Sequence, residues 1–280
     1  MVLLPKKVYS KETKDTVSKL VPIDDVMFQK ICEEKTSCQE IISTILGEPL
    51  TVIEVTPQES IMNLQGRSVR LDCLCKLADN TYVNVEVQKS DDDDHEARVW
   101  YNAAVITANE TPKSVKFHDV ARVIVIFITR FDLYGGGLPI YHVDRIIREM
   151  DITAQNGFTE IYVNTAVKKH DSELNGRVSD LMSLFTDRET FDYENFPCFS
   201  RRKNKFTNTE KGALEMCEKV EQAFKQRELT NLFGYVQRGR MSVSFAAKEA
   251  ELSPKDFKLE MQKYGYTLPQ KSQKPATRAD

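Results

Sequence analysis

At 280 residues the chain is long enough for one sizeable core plus a smaller domain. Hydrophobic content of 41% suits a globular protein, and the longest apolar run, residues 123–128, falls far short of the ~20 residues of a membrane span. A net charge of −3 excludes a chain that holds nucleic acid by bulk positive charge, so any such binding must be local.

Residues 1–20 carry Lys6, Lys7, Lys11, Lys14 and Lys19 and read as a basic flexible tail without the apolar core of a signal peptide, which makes the expected location cytoplasmic. Residues 22–46 form an amphipathic helix opening near Asp24 or Asp25, with Val26, Phe28, Ile31, Cys32, Ile41, Ile42 and Ile45 on its apolar positions. Lys35-Thr36-Ser37 divides it, and Gly47 stops it. Short strands follow at 51–55 and 60–64.

Residues 71–88 alternate. Leu71, Cys73, Cys75, Leu77, Val83, Val85 and Val87 are apolar, while Asn84, Glu86 and Gln88 are polar, the pattern of a half-buried hairpin with one polar face. A short loop centred on Asp79 sets Asp72 opposite Glu86, each seven residues away. Opposed Cβ atoms lie roughly 4.5–5.5 Å apart, and like charges so placed repel. A divalent cation would remove the repulsion, and oxygen ligands of this kind suit Mg²⁺. The alternative is a solvent-facing hairpin whose acids happen to face each other.

Asp91 to Asp94 form an acidic loop whose last residue caps a helix over 96–109. Arg98, Tyr101 and Asn102 share one face of that helix, with Val99 and Trp100 assigned to the core. The β-branched run 122–131 suits a central strand, Gly135-Gly136-Gly137 and Pro139 mark a turn, and 139–147 and 159–165 are further strands. From residue 172 the chain turns helical. Residues 195–205, with the basic run Arg201-Arg202-Lys203-Asn204-Lys205, read as a linker before a helix over 209–226. Ser253-Pro254 is a strong helix start between two short helices within 242–266, a pattern like a helix-turn-helix and equally that of a packing or self-association hairpin. Six cysteines without C-x-x-C spacing read as reduced thiols and argue against a zinc site.

Asp72, a hairpin, and Glu86-Val87-Gln88 resemble the D…E-x-Q variant of the PD-(D/E)XK nuclease core found in the recombination-promoting nuclease and transposase family. The similarity extends to Asp25-Val26-Met27-Phe28-Gln29-Lys30, Arg98-Val99-Trp100-Tyr101, the strand and turn from Val125 to Tyr141, and Ile161-Tyr162-Val163-Asn164.

The resemblance implies an α/β fold: a restriction-endonuclease-like core over 21–200, with a central mixed sheet flanked by helices. A small all-α region with the candidate helix-turn-helix would follow over 201–266, and a disordered tail over 267–280. It implies a metal-dependent DNA endonuclease linked to recombination or mobile elements, with Asp72, Glu86 and the Val87 carbonyl as ligands of Mg²⁺, Mn²⁺ being a substitute. Gln88 takes the place of the usual lysine as a catalytic group, able to orient a water or phosphate but not to carry charge. Arg98 and Tyr101 are the candidate phosphate contacts, and Asp25 or Glu34 the candidate acid from the first helix. DNA is the implied partner, with a homodimer as an option and neither a membrane nor an organic cofactor involved. The other reading keeps the nuclease fold without catalysis, as a nucleic-acid-binding or regulatory module.

Overall fold

A strand that is apolar on both faces must sit inside a sheet covered on both sides. The run Val-Ile-Val-Ile-Phe-Ile-Thr at 123–129 is such a strand, and the rest of the chain is arranged to cover it. The computed structural model describes residues 8–61, 68–167 and 173–269. In chain order it contains α1 (Lys11–Val17), α2 (Asp25–Cys32), α3 (Lys35–Leu46), β1 (Val52–Pro57), β2 (Ser60–Ile61), β3 (Val69–Arg70), β4 (Cys73–Leu77) and β5 (Tyr82–Gln88). These are followed by α4 (His95–Glu110), β6 (Val123–Thr129), β7 (Ile140–Val143), β8 (Ile146–Ile147), β9 (Ile152–Thr153) and β10 (Phe158–Asn164). The chain then runs through α5 (Glu173–Thr186), α6 (Pro197–Asn208), α7 (Glu210–Gln237), α8 (Val243–Glu249) and α9 (Pro254–Lys263). No described helix is long and apolar enough to cross a membrane.

Six strands make one mixed sheet in the order β1-β4-β5-β6-β10-β7. β6 is parallel to both β5 and β10, and the other pairings are antiparallel. Along β6, Val123, Val125 and Phe127 pack with Val99, Ala103 and Ile106 of α4, so the intervening Ile124, Ile126 and Ile128 point to the opposite face. This mixed sheet with flanking helices is the α/β, restriction-endonuclease-like core expected from the sequence.

Two compact units partition the chain. The first holds residues 1–61 and 69–221 and contains the large sheet; the second holds residues 62–68 and 222–280. The second has a core of its own, in which Phe233 and Val236 pack with Ala246 and Ala247 of α8 and Phe257 and Met261 of α9. Ser253 caps α9 by accepting from the Asp256 N–H at 3.1 Å, as its Ser-Pro start implies.

Several expectations are corrected. The hairpin is not half-buried: β4 and β5 lie inside the sheet, and polar Asn84 and Glu86 are buried with the apolar positions. The reason is α4, which covers the face that periodicity alone assigns to water. Trp100 is 57% exposed, whereas its neighbour Val99 is fully buried. Residues 11–17, expected within a flexible tail, form α1, with Ser10 capping Thr13 and with Tyr9, Thr13, Val17 and Leu20 buried. Arg188 donates to the Val17 and Leu20 carbonyls and fixes the end of that segment. Residues 1–7 of the expected basic tail, 62–64 of the expected second strand and 270–280 of the expected C-terminal tail lie outside the described residues.

The expected linker at 195–205 is instead the start of α6, opened by Pro197 in its first turn. Its basic residues are structural. Arg202 donates to the Lys30 carbonyl at 2.9 and 3.1 Å, and Lys205 pairs with Glu215 at 2.7 Å. Lys203 is fully buried, donates to the carbonyls of Asp187 and Thr190 and lies 4.9 Å from the Phe191 ring centre. Burial lowers its pKa to about 8. Lys203→Met keeps most of the volume but leaves two buried carbonyls without a donor. It is expected to cost about 2–3 kcal/mol in urea denaturation; a variant as stable as the parent would show that those contacts contribute nothing.

Candidate functional site

The register of β4 on β5 pairs Cys73 with Val85, Leu74 with Asn84, Cys75 with Val83 and Lys76 with Tyr82. One step beyond, the same register sets Asp72 across from Glu86. Asp79 secures the turn, its carboxylate accepting from the Thr81 N–H and hydroxyl at 3.0 Å each, while Asn80 takes a left-handed φ of 66°. The Asp72 N–H donates to Glu86 Oε1 at 3.3 Å. Asp72 Oδ2 accepts from the Val87 N–H at 3.1 Å, and Oδ1 from Gln29 Nε2 of α2 at 3.2 Å. A strand residue's N–H and C=O point to the same neighbouring strand, so the Val87 carbonyl faces the same edge.

Both acids are held in a form that resists ionisation. Burial, with a contribution from the charge of Asp25, raises Asp72 to about 6 against the opposing bonds from Val87 and Gln29. Burial and then the Asp72 charge push Glu86 well above the usual carboxylate range, against the pull of Arg98. Two such neighbours lose their protons as a pair rather than independently. Beside them lies the fully buried side-chain amide of Asn84, which favours the ionised form of Glu86. Two opposed carboxylates, a strand carbonyl on the same edge and a buried amide form an oxygen-rich donor set that fits a hard divalent cation. Among the described residues, no third carboxylate joins the pair to close a cage.

The structure brings some sequence-derived candidates together and separates others. Arg98 donates to Gln88 Oε1 at 2.9 Å and to Asp94 at 3.0 Å. Gln88 donates in turn to the Ser90 carbonyl at 2.7 Å and to Asp92 at 3.0 Å. Asp94 therefore holds Arg98 and makes no side-chain cap bond to α4. The acidic loop is folded back over these groups, and buried His95 anchors it through Asp91 and the Asp92 N–H. Tyr101 is half-buried and packs against the core around Val99 and Ile106. Asp25 accepts from the adjacent Val26 N–H and acts on Asp72 through charge alone. Glu34 faces elsewhere, accepting from Thr36 and lying 3.8 Å from Arg202.

Three participants went unread in the sequence. Gln29 stands one helical turn after Asp25 and, unlike Asp25, hydrogen-bonds Asp72 directly. Gln58 donates its backbone N–H to the Asp72 carbonyl at 3.0 Å while sitting at φ 57°, a left-handed conformation that non-glycine residues seldom adopt. Its side-chain amide donates to Gln29 and accepts from Lys219 of α7 at 2.8 Å. A chain of donors thus runs from Lys219 through Gln58 and Gln29 to Asp72. No local pattern at residue 58 or 219 announces it.

A family model described as PD-(D/E)XK nuclease family transposase matches residues 22–172, a span that includes α2, Asp72, Glu86-Val87-Gln88, α4 and β10. No curated protein and no solved structure matches the chain significantly.

The raised acids have a measurable consequence. Folded Asp72 binds a proton more tightly than its ordinary 3.8, so between about pH 4 and 6 the folded state holds more protons than the unfolded one. Stability from this group is full below about pH 4 and is lost as pH rises through about 6. Metal-free Asp72→Asn is therefore expected to exceed the parent in stability at pH 8 by on the order of 1–3 kcal/mol, with the gain vanishing near pH 4. Urea denaturation in EDTA at the two pH values measures it. A variant less stable than the parent at pH 8 would contradict the cost of holding ionised Asp72 in its buried place.

Proposed function

The chain belongs to the PD-(D/E)XK nuclease family transposases, and from that membership we propose that it is a Mg²⁺-dependent endonuclease of DNA serving a mobile element or recombination. The observation that carries this reading is the opposition of Asp72 and Glu86, joined by the Asp72 N–H to Glu86 bond at 3.3 Å and buried deeply enough that both carboxyls resist ionisation.

A bound divalent cation would supply charge for the phosphate and a water acidified toward neutral pH. Asp72 and Glu86 are its proposed side-chain ligands, with the Val87 carbonyl as a third donor. Gln29 and the Val87 N–H fix the orientation of the Asp72 carboxylate, which would hold the ion. Gln88 presents an uncharged amide, which can hold a water or a phosphate oxygen in line but cannot neutralise the developing charge. Arg98, bonded to Gln88, is the proposed source of that positive charge. Hydrolysis places the attacking oxygen on phosphorus and returns the leaving sugar oxygen as a hydroxyl.

DNA is the proposed partner and the cytoplasm the proposed compartment. A second copy of the chain would supply the second site needed to cut both strands. The non-catalytic reading keeps one specific support: the lysine of the common motif is absent, and its replacement, Gln88, is engaged by Asp92.

Plasmid cleavage in Mg²⁺ or Mn²⁺ separates the two. Asp72→Ala and Glu86→Ala are expected to lower the rate at least about 100-fold, and Gln29→Ala about 10- to 100-fold. The parent's rate is expected to rise between pH 5 and 8 as the pair releases its protons to solvent and becomes free to bind the cation. Absence of parental cutting that the Asp72 and Glu86 substitutions remove would favour the non-catalytic module.

A further inference from the structure

Cysteines at 32, 38, 73 and 75 are unremarkable in the sequence, yet the fold gathers them into one buried cluster. Cys32 ends α2, Cys38 lies in the first turn of α3, and Cys73 and Cys75 project from the same side of β4. All four are at most 2% exposed. The sulfurs of Cys38 and Cys73 are 3.8 Å apart, those of Cys73 and Cys75 are 3.7 Å apart, and Cys32, Cys38 and Cys73 bring their sulfurs within 4.8 Å of one another. All are free thiols, so no disulfide accounts for the convergence.

We propose that Cys32, Cys38 and Cys73, the three whose sulfurs converge, together with Cys75, whose sulfur touches that of Cys73, form a thiolate site for one thiophilic metal ion of the size of Zn²⁺. Zinc–sulfur bonds of 2.3 Å in a tetrahedron require sulfurs about 3.8 Å apart, which is the spacing of the two contacting pairs. The spacing suits one ion and is too tight for a polynuclear iron–sulfur cage. Full burial leaves no position open to substrate or water, which marks a structural centre and not a catalytic one. Soft sulfur ligands also select against Mg²⁺, so this site and the carboxylate pair take different ions. The Cys38 thiol donates to the Cys32 carbonyl at 3.2 Å, a bond it would give up on becoming a thiolate ligand. In the same turn as Cys38, fully buried Ser37 keeps a hydroxyl with no hydrogen-bond partner. Binding would release the thiol protons to solvent as each sulfur becomes a ligand.

The site has a defined mechanical role. Cys73 directly follows Asp72 and points to the opposite face of β4, while Cys32 is on the helix that carries Gln29. One ion would thus clamp α2, α3 and β4 together immediately behind the acid pair. The inference stands whether or not the protein cuts DNA.

The full chain, refolded under reducing conditions in excess Mg²⁺, is titrated with Co²⁺. Sulfur-to-cobalt charge-transfer absorption and intense tetrahedral d–d bands are expected to saturate at about one ion per chain and to disappear on adding Zn²⁺. Asp72→Ala combined with Glu86→Ala should leave the bands intact, and Cys38→Ser or Cys73→Ser should abolish them. Should the cysteine variants fail to fold, alkylation of the parent in partly denaturing urea decides: Zn²⁺ is expected to protect four of the six thiols. Absence of thiolate bands in the parent, unprotected thiols, or bands that vanish in the carboxylate variant alone would each overturn the proposal.

Discussion

Everything distinctive in this protein depends on one pairing, the antiparallel register that continues past Cys73 and Val85 to set Asp72 against Glu86. A slip by one residue would send both acids to opposite faces and replace them with cysteine and valine, so the register is enforced by the whole apolar pattern of the hairpin. The turn at Asp79 and Asn80 fixes the loop length, and the flanking β1 and β6 hold the pair from either side. What results is a local conflict, two carboxyls crowded in a buried place, stabilised by the surrounding sheet.

That conflict is kept in shape by neutral donors more than by cations. Gln29, the Val87 N–H and Gln58 surround Asp72, and Lys219 acts only through two intervening amides. Arrangement by amides orients the carboxylate without cancelling its charge, so the acids keep their demand for a cation. Several basic residues, meanwhile, are used by the fold. Arg188, Arg202 and Lys203 all donate to backbone carbonyls.

Much of this was legible in the sequence, because the hairpin speaks twice, once in its period-two alternation and once in the equal spacing of Asp72 and Glu86 about Asp79. The uniformly apolar strand at 123–129 and the Ser253-Pro254 start were legible for similarly local reasons. What escaped reading depends on contacts distant in the chain. The basic run of α6 looks like a solvated linker until Asp187 and Thr190 supply carbonyls for Lys203. Trp100 looks like core until α4 is given its rotation, and the four cysteines have no mutual spacing until the helices fold onto β4. Gln58 is invisible for another reason: its part is played by an unusual backbone angle, which residue type does not encode.

The loop of aspartates has a final consequence for how the mouth of the site meets anions. Arg98 is already occupied by Asp94, and the amide of Gln88 by Asp92. An anion that reaches Arg98 therefore exchanges with an internal carboxylate instead of neutralising a bare guanidinium. The number of ion pairs is unchanged by such a swap, so few counterions are released and ionic strength has little leverage over that contact. Discrimination then falls to shape and to the number of oxygens offered at once, which a monovalent solvent ion cannot match.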